Sequence, residues 1–267
     1  MAYLAGMDEA GYGPNLGPLV IGGTLWRVPD GVDGAELYER LPNVAPPATG
    51  VAPKEATLLI GDSKSLYSPA AGLAALERAV FAALAASNHA GPSACPKTWR
   101  ELLTSCDGCC TEVITAVPWY VEFDCPVPVH ATAEIISATQ ELFADALEAA
   151  DVQLITLRAR LIFPETFNRR VQECGSKGTA LSLWTLELVE QLLEPIENGP
   201  VLIQGDKHGG RSRYAALLQH VFPDHLIEVL DESRRQSTYR WGPPSRRVEA
   251  CFTAQGERFL PSALASM

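Results

Sequence analysis

The sequence contains no apolar run approaching the roughly 18–20 residues that a membrane-spanning helix requires. Its opening, Met1-Ala2-Tyr3-Leu4-Ala5-Gly6, lacks the basic region and long apolar stretch of a secretory signal. Cysteine is sparse and odd in number: seven residues, three of them crowded at Cys106, Cys109 and Cys110, a poor disulfide framework. These absences predict a cytoplasmic protein with no membrane partner. No internal repeat or low-complexity segment interrupts the 267 residues, a length that buries a sizeable core and is read as a single domain. Positive charge is also short, with 21 Lys and Arg against 32 Asp and Glu. The shortage is uneven. From Val201 to Met267 there are nine basic and seven acidic residues (+2), which leaves 12 and 25 (−13) in the first 200. A locally basic segment can bind a polyanion once cations neutralise an acidic centre, so charge permits a nucleic-acid partner without predicting one.

The hydrophobic pattern predicts an α/β protein. Tyr3–Met7 reads as a strand ending at Asp8, and a turn-rich loop then leads into a strand over Leu19–Val28. Residues 29–58 read as an irregular excursion. Helices are predicted over Pro69–Ser87, Ala131–Ala150 and Ser176–Leu193, the last with Leu181, Trp184, Leu188 and Leu192 on one face. Strands are predicted over Glu112–Phe123, Val152–Ile162 and Val201–Ile203, with helical character for Arg213–Phe222 and extended chain at Leu226–Leu230. Ser237–Trp241 and Val248–Ala254 pair as a hairpin in this reading, and Ser262–Met267 begins a helix. Cys106-Asp107-Gly108-Cys109-Cys110 invites a zinc reading, but a second Cys-x-x-Cys pair and a nearby His are lacking, which favours free thiols.

Chemistry is concentrated in carboxylates at strand ends. Asp8 and Glu9 follow the first strand, Asp206 follows Val201–Ile203, and Glu257 follows the Val248–Ala254 strand. Such residues are expected to converge, and four close carboxylates repel unless cations neutralise them. Mg²⁺ prefers such oxygen ligands, and two ions can activate water and stabilise the leaving oxygen of a phosphodiester. Beside Asp206, Lys207-His208-Gly209-Gly210-Arg211 supplies basic groups, and His208 is placed to move a proton or bond a phosphate. Arg234, Arg235, Arg240, Arg246 and Arg247, interleaved with Tyr239 and Trp241, read either as a nucleic-acid groove or as a solvated hairpin face. Gly175-Ser176-Lys177-Gly178 reads as a phosphate-holding helix start or a plain N-cap.

The run Gly6-Met7-Asp8-Glu9-Ala10-Gly11-Tyr12-Gly13-Pro14-Asn15-Leu16-Gly17-Pro18-Leu19-Val20 resembles the N-terminal signature of the type 2 ribonucleases H, the ribonuclease HII family. Asp62-Ser63-Lys64-Ser65-Leu66 resembles that family's second block. Val201–Asp206 resembles the third, and Glu257 followed by Ala263-Leu264-Ala265-Ser266-Met267 the fourth. The resemblance implies a ribonuclease H-like fold, a mixed five-stranded sheet flanked by helices, with residues 88–130 as a Cys-containing insertion that has no counterpart. It implies an endonuclease that hydrolyses the RNA strand of RNA–DNA hybrids with two Mg²⁺ or Mn²⁺ ions, leaving 3′-hydroxyl and 5′-phosphate ends. Asp8, Glu9, Asp206 and Glu257 would then be the catalytic metal ligands, with Asp8 bridging both ions. Lys64 would hold a phosphate; Lys207, His208 and Arg211 are read from their own chemistry beside Asp206 as further substrate contacts. The amides of Gly11, Tyr12 and Gly13 would sense the ribose 2′-hydroxyl. Aligned on Val201-Leu202-Ile203, the family's Asp falls on Gln204, and Asp206 is preferred as the acid available. The chain departs from the family at Tyr12, where an arginine is usual, at Glu257, where an aspartate is usual, and in lacking the helices that follow the last block. These departures keep two rivals open: a nucleic-acid-binding protein of the same fold without hybrid cleavage, and a related nuclease with a different structured substrate.

Overall fold

The computed structural model describes residues 1–10, 17–47, 57–70, 72–87, 95–106, 114–115, 117–254 and 256–267, the side chains of Ala10 and Glu257 left aside. In chain order the elements are β1 (Ala2–Ala10), β2 (Leu19–Val28), α1 (Leu37–Arg40), β3 (Val44–Ala45), β4 (Leu58–Leu59), α2 (Ser63–Leu66), α3 (Ala74–Ala86) and α4 (Trp99–Cys106). There follow α5 (Ala133–Ala149), β5 (Gln153–Ile162), α6 (Pro164–Cys174), α7 (Lys177–Leu193), β6 (Val201–Asp206), α8 (Ala215–Val221), β7 (Glu228–Glu232), β8 (Gln236–Trp241), β9 (Val248–Thr253) and α9 (Leu260–Ser266). No helix among the described residues is long and apolar enough to cross a membrane.

One mixed sheet of seven strands, ordered β5-β2-β1-β6-β9-β8-β7, carries helices on both faces. Five strands were expected; the hairpin β7–β8 adds two beyond β9. Strands β1, β6 and β9 run parallel, so their C-terminal ends lie along one edge. Strand alternation sorts the side chains. Leu4 faces the layer of α3, α5 and α9 with Trp26, Phe143 and Leu260, whereas Ala5 and Met7 face α7 and α8 with Leu186, Tyr214 and Phe252.

Helix α9 approaches the sheet closely because glycines leave it room. A Cβ at Gly6 would lie 2.1 Å from the carbonyl carbon of Pro261, and one at Gly22 would lie 2.3 Å from the carbonyl oxygen of Ala265. Polar bonds then fix the helix. Thr24 donates to the Pro261 carbonyl (2.8 Å) and Ser262 to the Gln204 carbonyl (2.8 Å), both buried. Each such satisfied buried bond contributes roughly 1 kcal/mol, and breaking one costs more.

Several expectations need correction. The described part of Glu112–Phe123 is no strand: Pro118–Tyr120 forms a 3₁₀ turn. The Arg100 guanidinium donates to the carbonyls of Tyr120, Val121 (2.9 Å) and Phe123 (2.8 Å), curling the segment onto Trp99 instead of leaving it extended. Residues 29–58 are not wholly irregular, since they hold α1 and the paired β3 and β4. The helix predicted from Pro69 starts at Ala74, after a separate turn of helix at α2. Helix α6 was not anticipated. No disulfide joins the described cysteines; Cys109 and Cys110 lie outside the described residues.

Candidate functional site

The parallel strand ends place two of the four proposed carboxylates together. Gly6 pairs with Gln204 and Met7 with Gly205, so one residue further Asp8 stands level with Asp206 on the neighbouring strand. Both follow the alternation of Leu4 and Leu202, which packs on the α9 layer. Gln204, the alternative to Asp206, is spent elsewhere: its side-chain oxygen accepts from the Gly34 amide (3.1 Å).

A cavity of about 240 Å³ opens at this edge, lined by Met7, Asp8, Asp62, Lys64, Asp206, Gly256 and Ser262. Asp62 was overlooked as a site residue. It caps α2 by accepting from the Lys64 amide (3.3 Å), and the same turn brings Lys64 to the cavity wall. Ser266, from the last turn of α9, bonds the Asp8 carboxylate and meets Ser63 Oγ at 3.2 Å. The Asp206 carboxylate accepts from the Gly256 amide, which belongs to the 3₁₀ turn Gly256–Arg258 that carries Glu257.

Burial holds the Asp8 carboxyl above the ordinary carboxylate range, and the nearby charges of Asp206 and Asp62 add to the shift. Three acids with one lysine around a small polar cavity are a donor set that suits a hard divalent cation, since such an ion relieves their repulsion. Among the described residues, no group of three or more His, Cys, Asp or Glu is already closed into a metal-ligating cluster.

Glu9 lies apart from that wall. As the next residue on β1 it points to the α7 face, where its Oε2 is 3.9 Å from His208 Nε2. His208 is 3% exposed, and its Nδ1 meets Ser182 Oγ at 2.9 Å. Because that hydroxyl donates to the Gly178 carbonyl (2.8 Å), it accepts from Nδ1–H, which leaves the Nε2 lone pair facing Glu9. The two groups shift in opposite directions. Burial pushes Glu9 up to about 7, with Asp8 and Asp206 contributing and Lys64 opposing, while burial and then Arg211 push His208 down to about 4.

The remaining predicted contacts divide. Arg211 donates to Thr179 Oγ1 (3.0 Å) at the start of α7, and Lys207 donates to the carbonyls of Ser233 (2.7 Å) and Arg234 (3.4 Å), so neither lines the cavity. Ser176 is the N-cap of α7, accepting from the Thr179 amide (3.4 Å), which accounts for that motif structurally. Gly11, Tyr12 and Gly13 and the side chain of Glu257 lie outside the described residues.

These shifts predict a measurable pH signature in the metal-free protein. Glu9 holds its proton between pH 4.5 and about 7 only when folded, so its contribution to stability falls as pH rises through that window. His208 acts oppositely: neutral when folded down to about pH 4, it loses stability as pH falls below 6.5. In the parent the two largely cancel. Glu9→Gln removes one of them, so its stability relative to the parent should grow from near zero at pH 4.5 to roughly 3 kcal/mol at pH 8, at ~1.4 kcal/mol per pKa unit. Urea denaturation in EDTA at both pH values measures the difference; an equal difference at the two would exclude the assignment.

No family model, curated protein or solved structure matches the chain.

Proposed function

We propose that the chain is a metal-dependent endonuclease of the ribonuclease H type, hydrolysing the RNA strand of RNA–DNA hybrids. The observation that carries this reading is the cavity at the strand ends, where Asp8 and Asp206 stand level with Asp62 and Lys64 beside them. The sequence motifs around Asp8, Asp62, Asp206 and Glu257 support it from the chain itself. The mixed sheet covered by helices agrees with a ribonuclease H-like fold, enlarged by β7 and β8.

Asp8, Asp206 and Asp62 would hold divalent ions on the α9 face, with Glu9 approaching from the α7 face. When bound, Mg²⁺ or Mn²⁺ neutralises the carboxylates, polarises the phosphodiester and lowers the pKa of water. Lys64 offers its ammonium to a non-bridging phosphate oxygen. His208 keeps an acceptor nitrogen 3.9 Å from the Glu9 carboxyl. Ser266 holds the Asp8 oxygen in place, and Gly256 holds that of Asp206. In the overall hydrolysis a water oxygen bonds to phosphorus and the P–O3′ bond breaks, leaving the 3′-hydroxyl and 5′-phosphate.

Two duplexes test the reading, one a continuous RNA–DNA hybrid and one carrying a single ribonucleotide, each incubated with the purified chain in Mg²⁺ and in Mn²⁺. Metal-dependent cleavage on the RNA side is expected. Tight hybrid binding without cleavage in either metal would favour the non-cleaving rival.

A further inference from the structure

We propose that Arg234 and Arg235 form a phosphate clamp for the nucleic-acid strand engaged at Asp8 and Asp206, an inference that rests on the nucleic-acid reading above. Their position follows from register. Asp206 pairs with Thr253, and Thr253 pairs with Gln236, so the turn between β7 and β8 lies at the same sheet edge as the carboxylates. Two strand spacings separate Gln236 from Asp206, about 10 Å, or about three base steps along a duplex at ~3.4 Å each.

The composition of the turn is unusual for its shape. Ser233 N–H donates to the Gln236 carbonyl (2.9 Å), which makes Arg234 and Arg235 the two central residues of a tight hairpin. Such loops favour Asn-Gly or Gly-rich pairs, because the preferred turns need positive φ. Neither arginine has positive φ, so the turn is held by outside bonds. The Ser233 hydroxyl accepts from the Gln236 amide (3.1 Å) and donates to its carbonyl (3.0 Å). Lys207, the residue after Asp206, donates to the Ser233 and Arg234 carbonyls. A cation beside the carboxylate cluster is thus committed to orienting two more.

The charges of these arginines are uncommitted. Arg213 lies 3.8 Å from Glu232, and Arg240 lies within reach of Glu228 and Glu249. Arg234 and Arg235 are both exposed and form no ion pair among the described residues. Guanidinium forks on two consecutive exposed residues, in a turn at the same sheet edge as the carboxylates, suit the oxygens of adjacent phosphates, which such forks can meet bidentately.

The test is hybrid binding by the whole chain, with Ca²⁺ supplying divalent charge, as a function of salt. Each lost phosphate contact reduces the slope of log K against log salt by ~0.9. The double variant Arg234→Gln/Arg235→Gln should therefore lower the slope by about 2 and weaken binding roughly 10- to 100-fold near 0.1 M salt. Arg234→Lys/Arg235→Lys, which keeps the charges, should retain the slope. Both variants should melt like the parent. An unchanged slope in the glutamine variant overturns the clamp, as does a slope lost equally in the lysine variant. If the parent binds hybrid but never cleaves it, the nuclease reading fails while the slopes still decide the clamp. If the parent binds no nucleic acid, both fall.

Discussion

Asp8→Asn is expected to reduce metal-dependent cleavage of a hybrid by at least about a thousand-fold, about 4 kcal/mol of barrier. The same substitution should stabilise the metal-free protein at pH 8. Both outcomes come from one environment. Burial disfavours the Asp8 charge, Asp206 and Asp62 repel it, and only Ser266 and the Glu9 amide offset part of that cost. Asparagine keeps an oxygen for Ser266 and removes the charge, so the folded state gains stability while the proposed site loses a ligand. Single-turnover cleavage in Mn²⁺ and thermal melting in EDTA measure the two sides. A residue that merely buttressed the fold would move both in the same direction. Cleavage at the parent rate in Asp8→Asn would remove Asp8 from the site.

Gly6→Ala is expected to be the most damaging added methyl group among the described glycines. The added carbon would sit 2.1 Å from the Pro261 carbonyl carbon and 2.3 Å from the Ser262 nitrogen, both backbone atoms with no rotamer to yield. Overpacking typically costs 1–3 kcal/mol, and a clash with two backbone atoms belongs at or above ~3 kcal/mol. Because α9 must lift, Ser262 and Ser266 move with it and cleavage should fall as well. Gly178→Ala is the control: its Cβ would meet nothing nearer than 3.8 Å, and alanine favours the helix. Urea midpoints compare the two; a Gly6→Ala protein as stable as the parent would mean that α9 is not seated on β1 as described.

Much of the frame was legible because the strands obey simple patterning. The Leu19–Val28 strand has the bounds that its residues imply, and the apolar face of Leu181, Trp184, Leu188 and Leu192 is buried as predicted. The level placement of Asp8 and Asp206 follows from two strands ending at one edge. Treating Asp8 and Glu9 as a single pair overlooked the same alternation, which sends neighbours to opposite faces. Asp62 was hidden because a helix cap looks structural in sequence, although its Asp-Ser-Lys context was the available signal. The curl of residues 117–123 was not legible, since it depends on one distant guanidinium rather than on local preference. Helix α6 was passed over because it buries no residue fully; Pro164 at its start was the clue.

The walls of the cavity also have a consequence for truncation. Ser266 contacts Asp62 from 204 positions away, and the strand bearing Asp8 must be flanked by β6 before Asp206 reaches it. A fragment that stops short of Ser266 lacks one wall of the cavity, so the arrangement needs strand β1, strand β6 and helix α9 together.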